Sequence, residues 1–363
     1  MKILSLKSPK LKRLNMMKIK TKLLLIAPLL IGSTTLYAAD NVPAQHFDLS
    51  HWSMTTPLDQ NEDGRADVID VTEMQQYSHP SFFFLNEQKK MVFTSPNKAV
   101  TSPTSSNTRS ELRHMLRGDD SKISFNDPAN NFVVKAHPEA SEFGAIGGKM
   151  HATLSVNHVA QNAKNTNKGP AYSVVIGQIH AGKGLNGLGE GNEPLKIYYK
   201  KWPNHETGSV FWTYERNLAK ADPNRIDIAY PVWGHGWKNG ADPKDKGINL
   251  DEEFSYTVNV YDNIMYLMFE TAKHKTVNYQ INLADNVNAY GKVDSKDHAQ
   301  GYAADPLYFK AGAYNQCSTK DAKGFWYAGC QGTGNWAEDE KNGDFARVSF
   351  THLIVTKAEK PKD

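Results

Sequence analysis

Short apolar or alternating runs, separated by Gly, Asn, Asp and Pro, recur along most of the chain. Such runs predict β-strands, because side chains alternate between the two faces of a strand, and long helical periodicity is scarce. Asp262 and Asn263 fit the turn of a hairpin between two of the runs. Many short strands of this kind are typical of an all-β sandwich or jelly roll. The predicted strands include 90–94, 132–136, 149–156, 172–180, 196–200, 209–214, 253–261, 265–270, 276–283 and 347–356.

The clearest alternation runs through residues 307–316, LYFKAGAYNQ. Its apolar side chains share one face and suit a core. The other face carries Tyr308, Lys310, Gly312, Tyr314 and Gln316. A polar face of this kind suits a strand that lines a binding groove, but it also suits an ordinary solvated sheet. Matching chemistry on other strands has to decide between these two interpretations.

The first 39 residues have the order of a secretory signal peptide. Basic residues come first without an acidic one, and the apolar run 23–31 and small residues at Ala38 and Ala39 follow. That run is too short for a membrane span, which needs about 20 apolar residues. We therefore expect a secreted or periplasmic protein, not bound to a membrane after signal removal, with a single domain over residues 40–363. A start at Met16 or Met17 and a retained N-terminal anchor are the alternatives.

Removal of the leader changes the charge of the chain. The whole sequence has 42 basic and 39 acidic residues, a net charge of +3, and eight of the basic residues lie in the leader. The remainder carries 34 minus 39, or −5. The basic balance of the full chain therefore gives no reason to expect nucleic acid as a partner. A polyanion would have to bind in a local basic cleft, and we expect a monomer.

The two cysteines, Cys317 and Cys330, both follow the stretch 307–316. Cysteines this close in sequence are expected to pair in an oxidising compartment. Closing a loop of this size would contribute ~3 kcal/mol by the chain-entropy estimate. We expect a disulfide that fixes the segment after the strand, with two free buried thiols as the alternative.

Residues 59–70 match part of a calcium-binding loop. Oxygen-bearing side chains occupy loop positions 1, 3, 5, 9 and 12, and Gly64 occupies position 6. The last position holds Asp instead of the usual bidentate Glu, and no strong flanking helix is evident. We therefore favour a polar turn over a metal site. The alternative is a structural calcium ion bound by Asp59, Asn61, Asp63, Asp67 and Asp70.

Two further segments carry chemistry that matches the polar face of 307–316. Arg109, Glu111 and Arg113 alternate in RSELR, where Glu111 can orient both guanidinium groups for two-pronged recognition of a carboxylate. The same pattern also fits a surface ion-pair ladder, which contributes little. Gln178 and His180 share one face at the end of an apolar strand. This position favours a functional histidine over a structural one.

A fourth strand face carries Lys196, Tyr198 and Lys200. Together, the cationic, amide and phenolic faces suit an extended, negatively charged and hydroxyl-rich polymer. The sequence shows no carboxylate pair of the glycoside hydrolase kind. It also lacks a G-x-S-x-G elbow, a phosphate loop and zinc-ligand spacing. These observations favour chemistry on an anionic polysaccharide.

The segments RSELR, QIH (178–180) and YFKAGAYNQ (308–316) resemble the three signature segments of the alginate lyases of polysaccharide lyase family 7. They occur in the family's order. The resemblance implies a secreted β-jelly roll of two antiparallel sheets, with a groove on the concave sheet that cleaves alginate by β-elimination. It implies no metal or organic cofactor. His114 departs from the acidic residue that the family often has, on the opposite strand face.

The resemblance also implies roles for individual residues. Arg109 and Gln178, with Arg113, would neutralise the uronate carboxylate as the C5 proton leaves. His180 would be the base for guluronate, whereas Tyr314 would protonate the O4 leaving group and act as base for mannuronate. The expected substrate-binding residues are Glu111, Arg113, Tyr308, Lys310, Lys196, Tyr198 and Lys200.

Two alternatives to an alginate lyase stay open. A non-catalytic carbohydrate-binding protein would not need His180 and Tyr314 together, and a lyase on another polyuronate, such as glucuronan, would use the same residues. By analogy with the family, Ile179 in QIH favours guluronate-containing blocks. The polar segments 181–195 and 233–251 would overhang the groove or block one end. Their position would decide whether the enzyme cleaves within the polymer or at its end.

Overall fold

Two β-sheets form the framework of the part of the chain that the structure, a computed structural model, describes: residues 41–237 and 240–361. The predicted signal peptide lies outside these residues. The α-helices of the described residues are α1 (Val71–Met74) and α2 (Trp336–Asn342). The strands are β1 (Trp52–Thr55), β2 (Val68–Ile69), β3 (Phe83–Leu85), β4 (Met91–Pro96), β5 (Arg109–His114), β6 (Phe132–Val133), β7 (Ala145–Ile146), β8 (Gly148–His158), β9 (Ser173–Ala181), β10 (Leu195–Lys200), β11 (Ser209–Glu215), β12 (Asp227–Trp233), β13 (Phe254–Tyr261), β14 (Ile264–Thr271), β15 (Val277–Asn282), β16 (Leu307–Asn315) and β17 (Phe345–Thr356).

The larger sheet has ten strands, with the main order β12-β11-β10-β9-β16-β5-β1-β2 and with β6 and β7 attached beside β16. The smaller sheet has seven, in the order β15-β14-β13-β8-β17-β4-β3. Among the paired strands of the described residues, only β6 and β7 run parallel. The two antiparallel sheets confirm the predicted all-β sandwich of the jelly-roll kind. Among the described helices, none is long and apolar enough to cross a membrane.

Most predicted strands match the observed ones to within one or two residues at each end. The exception is 132–136, of which only β6 is extended. Asp262 has φ 52° and connects β13 to β14, as the hairpin prediction requires. The strands β2 and β7 are too short to leave an alternating pattern. β12 escaped prediction because Pro231 interrupts its pattern, and proline is tolerated there because β12 lies at a sheet edge.

The inward faces of both sheets form one hydrophobic core. In β16, Phe309 and Ala311 point into this core, as their alternation predicts. Between the sheets, Tyr256 of β13 donates a hydrogen bond of 3.0 Å to the carbonyl of Ile176 in β9. Gly177 makes this approach possible, because a Cβ atom there would lie 2.5 Å from the Tyr256 hydroxyl. The core therefore fixes the position of β9 and β16, and their opposite faces are left for function.

Gly312 allows β16 to lie close against β5. Its φ is 143°, a conformation that side chains disfavour, and a Cβ atom would lie 2.6 Å from the Ser110 carbonyl oxygen. The pairing of β16 with β9 also shifts register between Ala311 and Tyr314. Glycine at this position thus allows the irregular backbone conformation and also leaves a gap on the polar face.

The predicted disulfide between Cys317 and Cys330 is present, with 5.5 Å between the Cα atoms. Cys317 lies two residues after the end of β16. The Tyr172 backbone N–H donates to the Cys317 sulfur at 3.5 Å, just before β9. The bridge therefore encloses the segment 318–329 and attaches it to two neighbouring strands of the larger sheet.

Replacing Gly312 with alanine should destabilise the fold, because the new methyl group meets the β5 backbone and the φ value is strained. We expect a loss of about 1–3 kcal/mol in the free energy of unfolding, measured by urea denaturation. Gly240→Ala is the matched control, since a Cβ atom at that position meets no atom within 4 Å. Equal stability of both variants would contradict the close approach of β16 and β5.

Candidate active site

The three segments singled out from the sequence lie on adjacent strands of the larger sheet. β16 pairs with β5 on one side, where Arg109 faces Tyr314 and Arg113 faces Lys310. On its other side β16 pairs with β9, where His180 faces Tyr308. Since the apolar residues of these strands occupy the core, the polar side chains converge on the outer face of the sheet.

Glu111 lies at the centre of this convergence. Its side chain is only 1% exposed, and one carboxylate oxygen accepts a hydrogen bond of 2.9 Å from Arg109. Lys310 and the Gln178 amide nitrogen also donate to the same carboxylate. Burial alone would raise the pKa of Glu111, but Lys310 and Arg109 outweigh burial and lower it. The carboxylate is therefore ionised and fixes groups from three strands.

Arg109 connects this carboxylate to Tyr314. The guanidinium carbon lies 3.8 Å from the centre of the Tyr314 ring, within cation–π range. Ser105 contacts both residues, at 3.3 Å from an Arg109 nitrogen and 3.2 Å from the Tyr314 hydroxyl. Ser105 is a site residue that no sequence pattern indicated. These contacts hold the phenol and the guanidinium in one fixed arrangement on the outer face.

His180 presents one ring nitrogen to the site. Its Nδ1 lies 2.9 Å from the Ala181 carbonyl oxygen, which can only accept, so Nδ1 carries the proton and Nε2 presents a lone pair. Tyr308 stacks on the ring, with its hydroxyl 3.0 Å from Nδ1. Burial lowers the pKa of His180 to about 4, although the nearby Glu193 carboxylate raises it. The neutral form with a basic Nε2 therefore dominates at neutral pH.

Glu193 is a second site residue that the sequence patterns did not indicate. One carboxylate oxygen lies 3.7 Å from His180 Nε2, and the other lies 3.0 Å from Lys196 Nζ. Glu193 lies in the polar segment 181–195, which the sequence suggested as an overhang but not as a source of a charged group. Its position could not be predicted from the sequence, because it depends on how this segment folds back beside β9.

Three of the proposed substrate contacts surround the convergence. Arg113 lies 3.9 Å above the Tyr308 ring and donates a hydrogen bond of 2.7 Å to the Phe125 carbonyl. Lys310 is almost fully buried against Glu111, and burial lowers its pKa to about 8. Arg113 and Tyr308 are partly exposed and can meet a sugar, whereas Lys310 and Glu111 support the groups above them.

The expected sugar-binding face of β10 requires correction. Lys200 is 1% exposed and donates to the carbonyl oxygens of Gly169 and Ala171 at 2.6 and 2.5 Å, so it fixes the turn before β9. Tyr198 is fully buried in an aromatic cluster. Lys196 is bound between carboxylates. The alternation that indicated a polar face was real, but residues from other parts of the chain cover it.

Residues 59–70 form the polar turn that the sequence favours over a calcium site. Asp59 accepts hydrogen bonds from the backbone N–H groups of Asp63 and Gly64. Asp70 caps α1 and forms an ion pair of 2.6 Å with Arg117. These side chains thus satisfy backbone donors within the turn and at the start of α1. Across the described residues, no group of three or more His, Cys, Asp or Glu is arranged to hold a metal ion.

Comparison with known proteins assigns this chain to a family. The sequence profile described as alginate lyase matches residues 47–357. The chain belongs to the alginate lyases of polysaccharide lyase family 7. An alginate lyase from Klebsiella pneumoniae is 34% identical over 303 residues, which are 81% of this chain and 91% of that protein. Family membership makes the chain a polysaccharide lyase, as the resemblance of its three segments predicted.

Solved structures of alginate lyases share the fold. The crystal structure of the Klebsiella pneumoniae alginate lyase has a TM-score of 0.69 at 29% identity, covering 87% of this chain and 99% of that one. The exolytic family 7 alginate lyase from Zobellia galactanivorans has a TM-score of 0.71 at 30% identity, covering 89% and 100%. Both similarities span nearly the whole described part of this alginate lyase.

Replacing Glu111 with glutamine should strongly destabilise this alginate lyase. The change leaves Arg109 and Lys310 without their common counter-charge, and breaking a buried ion pair costs about 3–5 kcal/mol. Thermal and urea unfolding measure the loss. Glu359→Gln is the matched control, since Glu359 pairs with Lys149 at the surface and should contribute only about 0–1 kcal/mol. Equal effects at the two positions would contradict the central place of Glu111.

Proposed function

We propose that this alginate lyase cleaves its polymer by β-elimination around a reactive cluster formed by Arg109, Gln178, His180 and Tyr314. One observation supports the proposal most directly. Two cations and an amide bind one buried carboxylate, while a neutral imidazole on β9 and a phenol on β16 stand on the same face. This combination supplies charge stabilisation, a base and an acid on a single face, without a metal or organic cofactor.

Charge stabilisation comes first in this scheme. Removal of the C5 proton of a uronate places negative charge on the adjacent carboxylate. The Arg109 guanidinium, which is partly exposed, would bind that carboxylate, and the buried Gln178 amide would support it through Glu111. Gln178 already donates to Glu111 through its amide nitrogen. Donors that are fixed before the reaction stabilise developing charge without reorganising, which is the largest single contribution in many enzymes.

Proton transfer follows at two atoms. His180 Nε2 takes the C5 proton, a C4–C5 double bond forms, and the C4–O4 bond breaks. The Tyr314 hydroxyl gives its proton to the departing O4, and the phenolate then regains a proton from the imidazolium or from water. For mannuronate, whose C5 proton lies on the other side of the ring, Tyr314 would serve as base as well. Each transfer needs the group within hydrogen-bond reach of its atom.

Preference for guluronate-containing blocks is part of the proposal, and it is supported by the Ile179 analogy. Ile179 is fully buried in the core, so its side chain does not touch a sugar. Any influence on preference would act through the positions of Gln178 and His180 on either side. Initial rates on polyguluronate, polymannuronate and glucuronan test the preference. A higher rate on polymannuronate would contradict it, and a higher rate on glucuronan would point to another polyuronate as the substrate.

Export and a monomeric state also belong to the proposal. The leader pattern and the disulfide support export to an oxidising compartment. Signal cleavage near Ala39 can be read by mass spectrometry of the secreted protein. Light scattering of the purified chain measures its oligomeric state. An uncleaved membrane-bound product would contradict export as a soluble enzyme. A stable dimer would contradict the monomeric state.

Tyr314→Phe keeps the ring above which Arg109 lies and removes the proton. We expect turnover on alginate, measured as ultraviolet absorbance of the unsaturated ends, to fall by about 100- to 10,000-fold. Substrate binding, measured by calorimetry, should persist. Tyr290→Phe is the matched control, because Tyr290 is 60% exposed and outside the site. Unchanged turnover in Tyr314→Phe would remove Tyr314 from the mechanism.

Glu193→Gln tests the environment of the base. Glu193 raises the pKa of His180, so loss of its charge should lower that pKa. Because a general base loses activity as pH falls through its pKa, the acidic limb of kcat/KM should move to lower pH. Glu190→Gln, an exposed position on the same segment, is the control and should leave the limb in place. An unmoved limb in Glu193→Gln would contradict electrostatic contact with His180.

A further inference from the structure

The outer face of the larger sheet changes character on the far side of His180. Beyond β9, Lys196 lies between Glu193 and Asp227, at 3.0 and 2.9 Å. Arg225 lies 3.1 Å from Glu215. Lys196 and Arg225 are therefore each already paired with a carboxylate. A uronate polymer that extended over β10 to β12 would approach several acidic groups, and these two cations would not be available to it.

Bulky aromatic side chains cover the neighbouring part of the same face. Trp237 packs against Tyr198 and Phe211, with ring centres 4.4 and 4.9 Å apart. Phe325 and Trp326 lie 5.6 and 5.7 Å from Trp237. We name Trp237, Phe325 and Trp326 the aromatic wall. Tyr198 and Phe211 are fully buried beneath it, so a sugar ring cannot reach the sheet at this place.

Several contacts hold the aromatic wall in position. Lys196 Nζ lies 5.3 Å from the centre of the Trp326 ring. Phe325 lies directly on Gly169, where a Cβ atom would be 2.0 Å from the ring. The disulfide encloses the segment that carries Phe325 and Trp326. The wall is thus attached to the turn before β9, to β10 and to the end of β16.

The opposite side of the reactive cluster has the chemistry that a polyuronate needs. Arg113 stacks on Tyr308 and donates to the Phe125 carbonyl. Within the described residues, no carboxylate lies at ion-pair distance from Arg113, in contrast to Lys196 and Arg225. Both Arg113 and Tyr308 are partly exposed. A chain of uronates that leaves the cluster over β5 would therefore meet an available cation beside an aromatic ring.

We infer that the polymer occupies the β5 side of the reactive cluster and ends against the aromatic wall, so that cleavage occurs near a chain end and releases short products of one size. This inference rests on the proposed function, since it needs the reactive cluster to be where the bond breaks. Trp237, Phe325 and Trp326 would set the product length. The paired charges around Lys196 would add electrostatic rejection of a longer chain.

The unmodified enzyme provides the first test. Solution viscosity and ultraviolet absorbance are followed together on long alginate. Terminal cleavage predicts that absorbance rises while viscosity stays high, and that the same short product appears from the first turnovers. Uronate oligomers of several defined lengths should all lose a fragment of that one size. A rapid viscosity drop with a ladder of mid-chain fragments would overturn the inference.

Removal of the wall provides the second test. Trp237→Ala combined with Trp326→Ala should open the end of the groove and shift the products from one size to a ladder, with an earlier loss of viscosity. Trp336→Ala is the matched control, since Trp336 packs on Phe82 and Phe345 away from the site. The control should keep the pattern of the unmodified enzyme. Circular dichroism confirms that the variants compared are folded.

The two proposals fail in different ways. Absence of any absorbance increase from the unmodified enzyme on alginate, polyguluronate, polymannuronate and glucuronan would reject the proposed function itself. Normal absorbance with mid-chain products would reject only terminal cleavage. A folded double variant that still releases one short product would show that the aromatic wall does not set product length, which would also overturn the inference.

Discussion

The ionised carboxylate of Glu111 is the interaction on which the rest of the site depends. It is buried on β5 and binds Arg109 from its own strand, Lys310 from β16 and Gln178 from β9. Two cations this close would repel each other strongly in a medium of low dielectric constant. A shared counter-charge reverses that repulsion and fixes the orientation of all three side chains. The arrangement of these side chains on the outer face of the sheet therefore depends on the charge of one residue.

The site is built in two layers. Glu111, Gln178 and Lys310 lie against the sheet and are nearly inaccessible, while Arg109 and Tyr314 lie above them and reach the surface. The lower layer restricts the conformations that the side chains of the upper layer can adopt. Groups held in a productive geometry before substrate arrives avoid much of the entropic cost of reaction. A lyase that stabilises charge on a flexible polymer benefits from such support.

Local sequence patterns predicted those features that are determined within a single strand. The alternation in β16 correctly separated core residues from polar ones, and the three segments pointed to the family. In β9 the alternation breaks, because Ile176 and Ile179 both face the core although they are three residues apart, and the pairing with β10 shifts register there. A period of two cannot foresee a bulge of this kind.

Long-range contacts set the limit of prediction from the sequence. The alternation of β10 was correctly identified, yet nothing within it shows that Lys200 is covered by the turn before β9. Glu193 and Ser105 reach the site from loops, whose paths are decided by the elements they pack against. The aromatic wall is a similar case, since Trp237 and Trp326 are far apart in sequence. Their meeting depends on the completed larger sheet.

The covalent bridge from Cys317 to Cys330 has a practical implication for work with this enzyme. The strands that carry Arg109, Gln178 and Tyr314 are held by the hydrophobic core, whereas the loop with Phe325 and Trp326 relies on the bridge for its closure. Material purified from a reducing host would therefore keep the proposed reactive cluster and lose the covalent tether of the aromatic wall beside it. Oligosaccharide profiles of one and the same gene product would then differ between expression hosts.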